Sequence, residues 1–208
     1  MFPKSEIFEK HYRDYCAQIA QTDLSAMVDR LGLRAQGDRM LLRLFDKDYL
    51  VSGAGITDAD GERPEYMVCV IIAKYILLCP DRDHNDVEWT SFKDFKNTSH
   101  FTNVNFFSSD VEQAIAKRFS GRVAELSEAA EGMGGIPDNA GASYDLALRF
   151  AALPRLSLLL LFNDGDEEFP AECKVLFERR AEMHLDPESI AMLGALLAKR
   201  LKRSTSDR

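Results

Sequence analysis

A nearly continuous apolar run occupies residues 156–162, where every position except Ser157 is hydrophobic. A run of this kind predicts a central β-strand that is covered on both faces of its sheet. The segment before it, residues 144–150, alternates apolar and polar side chains, which predicts a half-buried neighbouring strand. A third strand is predicted for residues 173–178, so the C-terminal half of the chain should build a sheet.

A helical period opens the chain. Residues 5–20 place apolar side chains at three- and four-residue steps behind a cap at Ser5. A short second helix is predicted between Asp23 and Gly32, because glycine commonly ends a helix. These two segments together predict an N-terminal helical hairpin over residues 1–33.

Further helices and one hairpin complete the predicted elements. Four helices are predicted to begin after Pro64, at Ser109 or Asp110, after Gly121, and at the start signal Asp186-Pro187-Glu188. The hairpin joins a strand at residues 40–45 to a strand at residues 49–52 through a turn at residues 46–48. The helix after Pro64 is apolar nearly all round, which predicts that it is buried at the centre of the core.

Helices and strands occur in blocks rather than in strict alternation. This order favours an α+β fold with a mostly antiparallel sheet covered by helices. The length of 208 residues suits a single domain over residues 1–208. Within it we expect the hairpin at 1–33, an α+β core at 34–203 and a disordered tail at 204–208.

Charge and composition narrow the functional classes. The net charge of −8 argues against a nucleic-acid surface, which would require a basic stripe. The apolar segment 66–79 contains Lys74 and falls short of the about 20 residues that span a bilayer, and the N-terminus lacks the apolar region of a signal peptide. We therefore expect a soluble protein that binds neither nucleic acid nor membrane.

The four cysteines are scattered, and none forms a Cys-x-x-Cys pair. Their spacing therefore predicts neither a zinc site nor an iron–sulfur site. Isolated cysteines among apolar residues act as small hydrophobic side chains, which fits a reducing cytoplasm. Whether the protein uses a cofactor, and which one, stays open at this point.

A cluster of carboxylates follows the central apolar run: Asp164, Asp166, Glu167 and Glu168. Hard oxygen ligands of this kind suit calcium or magnesium, which makes Asp164, Asp166 and Glu168 candidate metal ligands. The same Asn-Asp-Gly-Asp segment is also good turn chemistry, and a solvated acidic turn is the favoured interpretation.

Aromatic residues concentrate around Trp89 and Phe92, in the least regular part of the chain. Such a segment can line a ligand pocket, or it can close the core beneath a long loop, and we favour the second role. Among His11, His84, His100 and His184, the last precedes the final helix, where we expect it to lie near the acidic cluster. A histidine hydrogen-bonded at a strand–helix junction is the favoured structural interpretation of His184.

Several motifs together resemble the uncharacterised prokaryotic domain-of-unknown-function family 3786. They are Trp89-Thr90-Ser91-Phe92, the run from Gly165 to Pro170, Val175-Leu176-Phe177 and the segment from His184 to Glu188, and the resemblance covers roughly residues 30–200. The family implies no named activity. Some members carry an iron–sulfur domain ahead of this module, but this chain lacks their cysteine cluster, so the resemblance does not imply redox chemistry here.

The resemblance makes Trp89, Asp166, Glu168 and His184 candidate site residues, and Phe92 joins them as a candidate ligand contact. No nucleophile–base arrangement is recognisable, so whether the protein is an enzyme stays open. The favoured hypothesis is a non-catalytic accessory module that binds a small ligand or a partner protein. The alternatives are a metal-assisted hydrolase-like enzyme that uses the acidic cluster, and a homo-oligomeric structural protein, such as a dimer formed through the N-terminal hairpin.

Overall fold

The computed structural model of the protein describes residues 6–82, 84–95, 104–141 and 143–204. His100 therefore lies outside the described residues, as do residues 205–208 of the predicted tail. No helix within the described ranges is long and apolar enough to cross a membrane.

Helices occur throughout the chain. They are α1 (Glu6–Ala20), α2 (Val28–Leu31), α3 (Tyr66–Leu77), α4 (Val104–Phe107), α5 (Gln113–Phe119), α6 (Val123–Glu131), α7 (Ala181–His184) and α8 (Pro187–Ser204). A π-helical turn, Ser108–Glu112, joins α4 to α5, and 3₁₀ turns occupy Ser25–Met27, Phe92–Asp94 and Asn139–Gly141.

The strands form two antiparallel sheets. They are β1 (Arg34–Gln36), β2 (Arg39–Leu44), β3 (Lys47–Ser52), β4 (Gly55–Thr57), β5 (Trp89–Ser91), β6 (Ile136–Pro137), β7 (Leu146–Leu153), β8 (Leu156–Asn163) and β9 (Glu172–Glu178). The first sheet is a meander in the order β1-β2-β3-β4, and the second has the order β5-β9-β8-β7-β6. This architecture confirms the predicted α+β class with antiparallel strands.

The apolar run forms β8, the middle strand of the five-stranded sheet. Leu158 and Leu160 belong to the main hydrophobic cluster and are fully buried, while Leu159 and Leu161 on the other face are only 1% and 5% exposed. The predicted central strand is therefore confirmed, since all four leucines of its centre are out of water. Burying a leucine side chain contributes about 1.5–3 kcal/mol, so this strand anchors the sheet.

Two local predictions were wrong. The β2–β3 turn lies at Phe45 and Asp46 rather than at residues 46–48, and Phe45 has a φ of 56°. The helix predicted to begin at Ser109 or Asp110 begins instead at Val104 and continues through the π-helical turn into α5. Serine and aspartate in that stretch resemble a cap, but here they lie inside a continuous helical segment.

Helix α3 packs against α1 and α8. Most of its side chains are buried, as the all-round apolar sequence predicted. The guanidinium of Arg200 on α8 ties this layer to the first sheet, donating to the Leu44 carbonyl at 3.1 Å, to Asp46 at 3.0 Å and to the Tyr49 hydroxyl at 2.9 Å. One hydrophobic cluster contains residues from Ile19 to Leu201 and so joins both sheets and the helices.

Candidate functional site: a cleft beside β9

The acidic cluster forms a closed turn after β8. Asp166 Oδ1 accepts the backbone N–H groups of Glu168 at 2.8 Å and Phe169 at 2.7 Å. These two bonds favour the carboxylate and lower the pKa of Asp166 below its ordinary value. Asp164 Oδ1 accepts the N–H of Gly121 at 2.7 Å, which ties the turn to the α5–α6 corner.

Metal binding by this turn has little geometric support. The carboxylates of Asp164 and Asp166 already serve backbone donors, and each holds part of the loop in place. Among the described ranges, no group of three histidine, cysteine, aspartate or glutamate side chains is arranged to hold a metal ion. The geometry is that of a solvated turn with aspartates that satisfy its amides.

His184 ends α7 and is buried, with 3% of its surface exposed. Its ring stacks on the ring of Tyr75 at a centroid distance of 5.5 Å. We expected His184 to lie near the acidic cluster, but the structure places it far from that cluster. Strand β9 starts beside the cluster at Glu172 and leads away from it, and His184 follows the far end.

Trp89 lies beside the other end of β9 from the acidic cluster. Trp89 is opposite Glu178, the last residue of β9, whereas the cluster adjoins Glu172, the first. The six residue steps from Glu172 to Glu178 separate these ends by roughly 20 Å. The five candidate residues therefore do not form one site, although Trp89 and Phe92 lie close together.

Phe92 closes the core, which agrees with the interpretation that the aromatic segment packs beneath a long loop. It is 3% exposed, and its ring stacks on Phe107 at a centroid distance of 4.6 Å. Trp89 is half-buried, and both side chains contribute to the wall of one cavity. The aromatic segment thus fills the core and lines a pocket at the same time.

A half-buried carboxylate, Glu112, lies between two adjoining cavities. It ends the π-helical turn, and its Oε1 accepts the backbone N–H of Val175 on β9 at 3.1 Å. Turns of this type are frequent at functional sites, because the extra residue re-aims side chains that an α-helix would direct elsewhere. Here the turn aims a carboxylate at the edge of the sheet.

The two cavities share Ser108, Glu112 and Lys174, and we call them together the Glu112 cleft. The first, the edge groove, has a volume of about 750 Å³ and lies between residues 170–174 and the side chains of α5. The second, the aromatic pocket, has a volume of about 640 Å³ and is lined by Trp89, Tyr144 and Phe92 among others. Both volumes fall in the range of about 300–1,000 Å³ that is usual for ligand sites.

Glu112 places a half-buried carboxyl group in the cleft. Burial raises the pKa of its carboxyl group, while the bonds from Val175 and Ser108 and the charges of Lys174 and Lys93 oppose that rise. The neighbouring Cys173 thiol also has a raised pKa, because it is buried and faces the Glu112 charge. A titratable group perturbed by burial inside a cleft is a candidate binding residue with a physical reason behind it.

A family model described as "Domain of unknown function (DUF3786)" matches residues 23–200 of the chain. This match spans most of the 208 residues. The chain belongs to the DUF3786 family. No curated protein and no solved structure matches it. The match covers both sheets and the Glu112 cleft, so the cleft belongs to the DUF3786 module, and among the helices of the described residues only α1 precedes the match.

Sequence reasoning missed Glu112, Ser108 and Lys174 as site residues in this DUF3786 chain. One signal was available, because Glu112 shares a helix face with Ile115 and Phe119, both of which are fully buried. A carboxylate in an apolar stripe indicates either a buried pair or a ligand site. The spacing of residues along the helix does not predict that Glu112 contacts Val175 on β9, which is distant in sequence.

The raised pKa of Glu112 predicts a pH effect on stability. A carboxyl group whose pKa is higher in the folded state than in the unfolded state binds protons more readily when folded. The contribution of Glu112 to the free energy of unfolding should therefore fall as the pH rises from its ordinary pKa through its raised one. Urea denaturation between pH 4 and pH 8 should show this fall in the wild type relative to Glu112→Gln.

The matched control for this measurement is Asp110→Asn, because Asp110 lies in the same π-helical turn but is exposed. The Asp110→Asn variant should follow the wild-type pH dependence. A Glu112→Gln variant that also follows it would contradict the burial of the carboxylate.

Proposed function

We propose that this protein is a non-catalytic accessory module that binds a small ligand or a segment of a partner protein in the Glu112 cleft. The observation that carries the proposal is the position of Glu112, a half-buried carboxylate on a π-helical turn between two cavities. A few polar groups at the base of an otherwise packed pocket commonly fix the orientation of a ligand.

The aromatic pocket supports the proposal from the other side. Trp89 is half-buried and offers a broad aromatic surface, while Lys174 and Glu112 provide charges of both signs at the junction of the cavities. Aromatic side chains bury a large area on contact with a ligand and lose little conformational entropy. We therefore expect a ligand with an apolar part against Trp89 and a hydrogen-bonding group at Glu112.

The proposal includes a single domain in a reducing compartment, the cytoplasm. One hydrophobic cluster that runs from Ile19 to Leu201 supports the single domain. All four cysteines carry free thiols, which supports the compartment. The net charge of −8 supports ligands other than nucleic acids.

A thermal-shift screen with a panel of metabolites and cofactors tests the proposal. We expect at least one compound to raise the melting temperature, because a ligand that binds only the folded state stabilises it by mass action. The affinity for that compound should fall about tenfold or more in Glu112→Gln, since a hydrogen bond to a charged group contributes about 1.5–3 kcal/mol. The Trp89→Leu variant should weaken binding as well.

Two variants serve as controls. Asp110→Asn changes an exposed carboxylate of the same turn, and Val87→Ala changes an exposed side chain two residues before Trp89. Both should bind as the wild type does. If the hits bind equally well to Glu112→Gln and Trp89→Leu, the ligand lies elsewhere and the proposed site is wrong.

A further inference from the structure

The edge of β9 is only partly paired. Strand β5 pairs with β9 from Trp89, opposite Glu178, to Ser91, opposite Leu176, and the chain then turns away into the 3₁₀ turn Phe92–Asp94. Within residues 6–82, 84–95, 104–141 and 143–204, no strand lies on that side of residues 172–175. The edge groove occupies the space where β5 would continue.

The hydrogen-bonding groups of this edge point into the groove at alternate residues. The N–H of Arg179 donates to the Glu88 carbonyl at 2.8 Å, and the N–H of Val175 donates to Glu112 at 3.1 Å, so odd-numbered residues face away from β8. In a strand, the N–H and the C=O of one residue point to the same side of the ladder. Cys173 therefore directs both of its backbone groups into the groove.

Glu112 takes the place of a strand at one position of this edge. A strand continuing β5 would offer a carbonyl to the Val175 N–H, and the Glu112 carboxylate supplies that acceptor instead. The edge is thus arranged for an antiparallel neighbour that the described part of the chain does not provide. Unpaired edges of this kind pair readily with an extended segment.

The side chains around the edge specify what such a segment would carry. Glu172 and Lys174 are exposed and lie on one face of β9, whereas Ala116 on α5 and Ala171 line the groove on the core side. Residues directly opposite each other in a sheet are favoured when their charges are opposite. An antiparallel segment therefore fits with an acidic residue opposite Lys174, a small aliphatic residue opposite Cys173 and a basic residue opposite Glu172.

We propose that the Glu112 cleft binds an extended peptide segment of a partner protein, which adds to the five-stranded sheet as an antiparallel strand beside residues 171–174, at the start of β9. This inference rests on the proposed function and names the partner class for the same site. The segment has an acidic–aliphatic–basic order, and main-chain hydrogen bonds to Cys173 hold it in register. A run of about four residues covers the edge, which spans roughly 13 Å at 3.3 Å per residue.

Synthetic peptides test this arrangement directly. The probe contains Glu-Val-Lys between two Ser-Thr flanks, and the comparison peptide has the reversed order Lys-Val-Glu in the same flanks. We expect the first to bind the wild type at least severalfold more tightly in a fluorescence-anisotropy titration. The double variant Glu172→Lys with Lys174→Glu should reverse that preference, and because both side chains are exposed the exchange should leave the fold intact.

N-methylation of the probe tests the pairing itself. Because alternate residues of an added strand bond to the edge, methylation of successive peptide nitrogens should abolish binding at every second position and spare the positions between. Loss at every position, or at none, overturns strand addition. A preference that does not reverse in the charge-exchanged variant overturns the proposed register.

Three further outcomes distinguish a failure of this inference from a failure of the proposed function. If metabolite hits depend on Glu112 but neither peptide binds at millimolar concentration, the cleft is a small-molecule site and strand addition is wrong. If sedimentation shows a dimer that the charge exchange dissociates, the occupant of the edge is a second copy of this chain, which also overturns the proposal. If neither compounds nor peptides bind, both proposals fall together.

Discussion

Replacement of Glu178 by alanine is expected to lower the free energy of unfolding by about 3–5 kcal/mol, because it leaves the largely buried guanidinium of Arg180 without its counter-charge. Glu178 is 6% exposed, and its Oε2 accepts a hydrogen bond from Arg180 at 2.7 Å and one from the Ser157 N–H at 3.2 Å. The Arg180 side chain is itself only 18% exposed. Urea denaturation followed by the fluorescence of Trp89, which lies opposite Glu178, measures the loss.

The adjacent ion pair is a built-in control for that experiment. Arg179 bonds to Glu88 at 3.0 Å, but the Glu88 side chain is 68% exposed, so water screens the pair. The Glu88→Ala substitution should therefore lower the free energy of unfolding far less than Glu178→Ala does. Glu178→Gln should fall between the two, because it keeps an acceptor for Ser157 and loses the charge. Equal losses for Glu178→Ala and Glu88→Ala would contradict the burial of the Arg180–Glu178 pair.

The central strand could be predicted because its own residues indicate that both of its faces are buried. A strand covered on both faces needs apolar side chains at successive positions, and residues 156–162 have them. The α+β class followed from the same local information, as did α3, whose sequence is apolar all round and whose side chains are mostly buried. The type of these elements can therefore be predicted from local sequence alone.

The position of the candidate site was less predictable, because it depends on contacts between distant segments. His184 is close to the acidic cluster in sequence, but β9 lies between them and carries the chain to the other end of the sheet. Two residues that are close in sequence lie far apart in space when an extended strand of this length separates them. Trp89 and Phe92 could be proposed as candidates because aromatic density is visible in sequence, whereas proposing Glu112 requires knowing that its helical segment lies beside the edge of β9.

The π-helical turn shows a similar limit. Ser108, Ser109 and Asp110 have the composition of a helix cap, and local reasoning therefore placed a helix start there. Their helical segment is continuous from Val104 to Phe119, and tertiary packing of Phe107 against Phe92 and Phe177 accompanies the wider turn. An inserted residue in a helix is compatible with many sequences, so composition alone does not indicate it.

Phe177→Ala is expected to lower the free energy of unfolding by about 3–5 kcal/mol, the usual cost of removing a buried phenylalanine ring. Phe177 is 1% exposed, and its ring lies 6.0 Å from that of Phe95 and 5.8 Å from that of Phe107. Phe107 also packs closely on Gly194 of α8, where an added Cβ would lie 2.5 Å from its ring. The residual cavity would therefore open beside the residue that leads into the π-helical turn.

The same substitution should weaken ligand binding as well as stability, because Phe107 precedes the turn that positions Glu112 beside the Val175 N–H. Urea denaturation gives the first effect, and titration of Phe177→Ala with a compound or peptide that binds the wild type gives the second. Phe169→Ala is the matched control, since Phe169 is 67% exposed and should cost little in either measurement. A Phe177→Ala variant that is destabilised but keeps full affinity would show that the core beneath Phe107 does not support the Glu112 cleft.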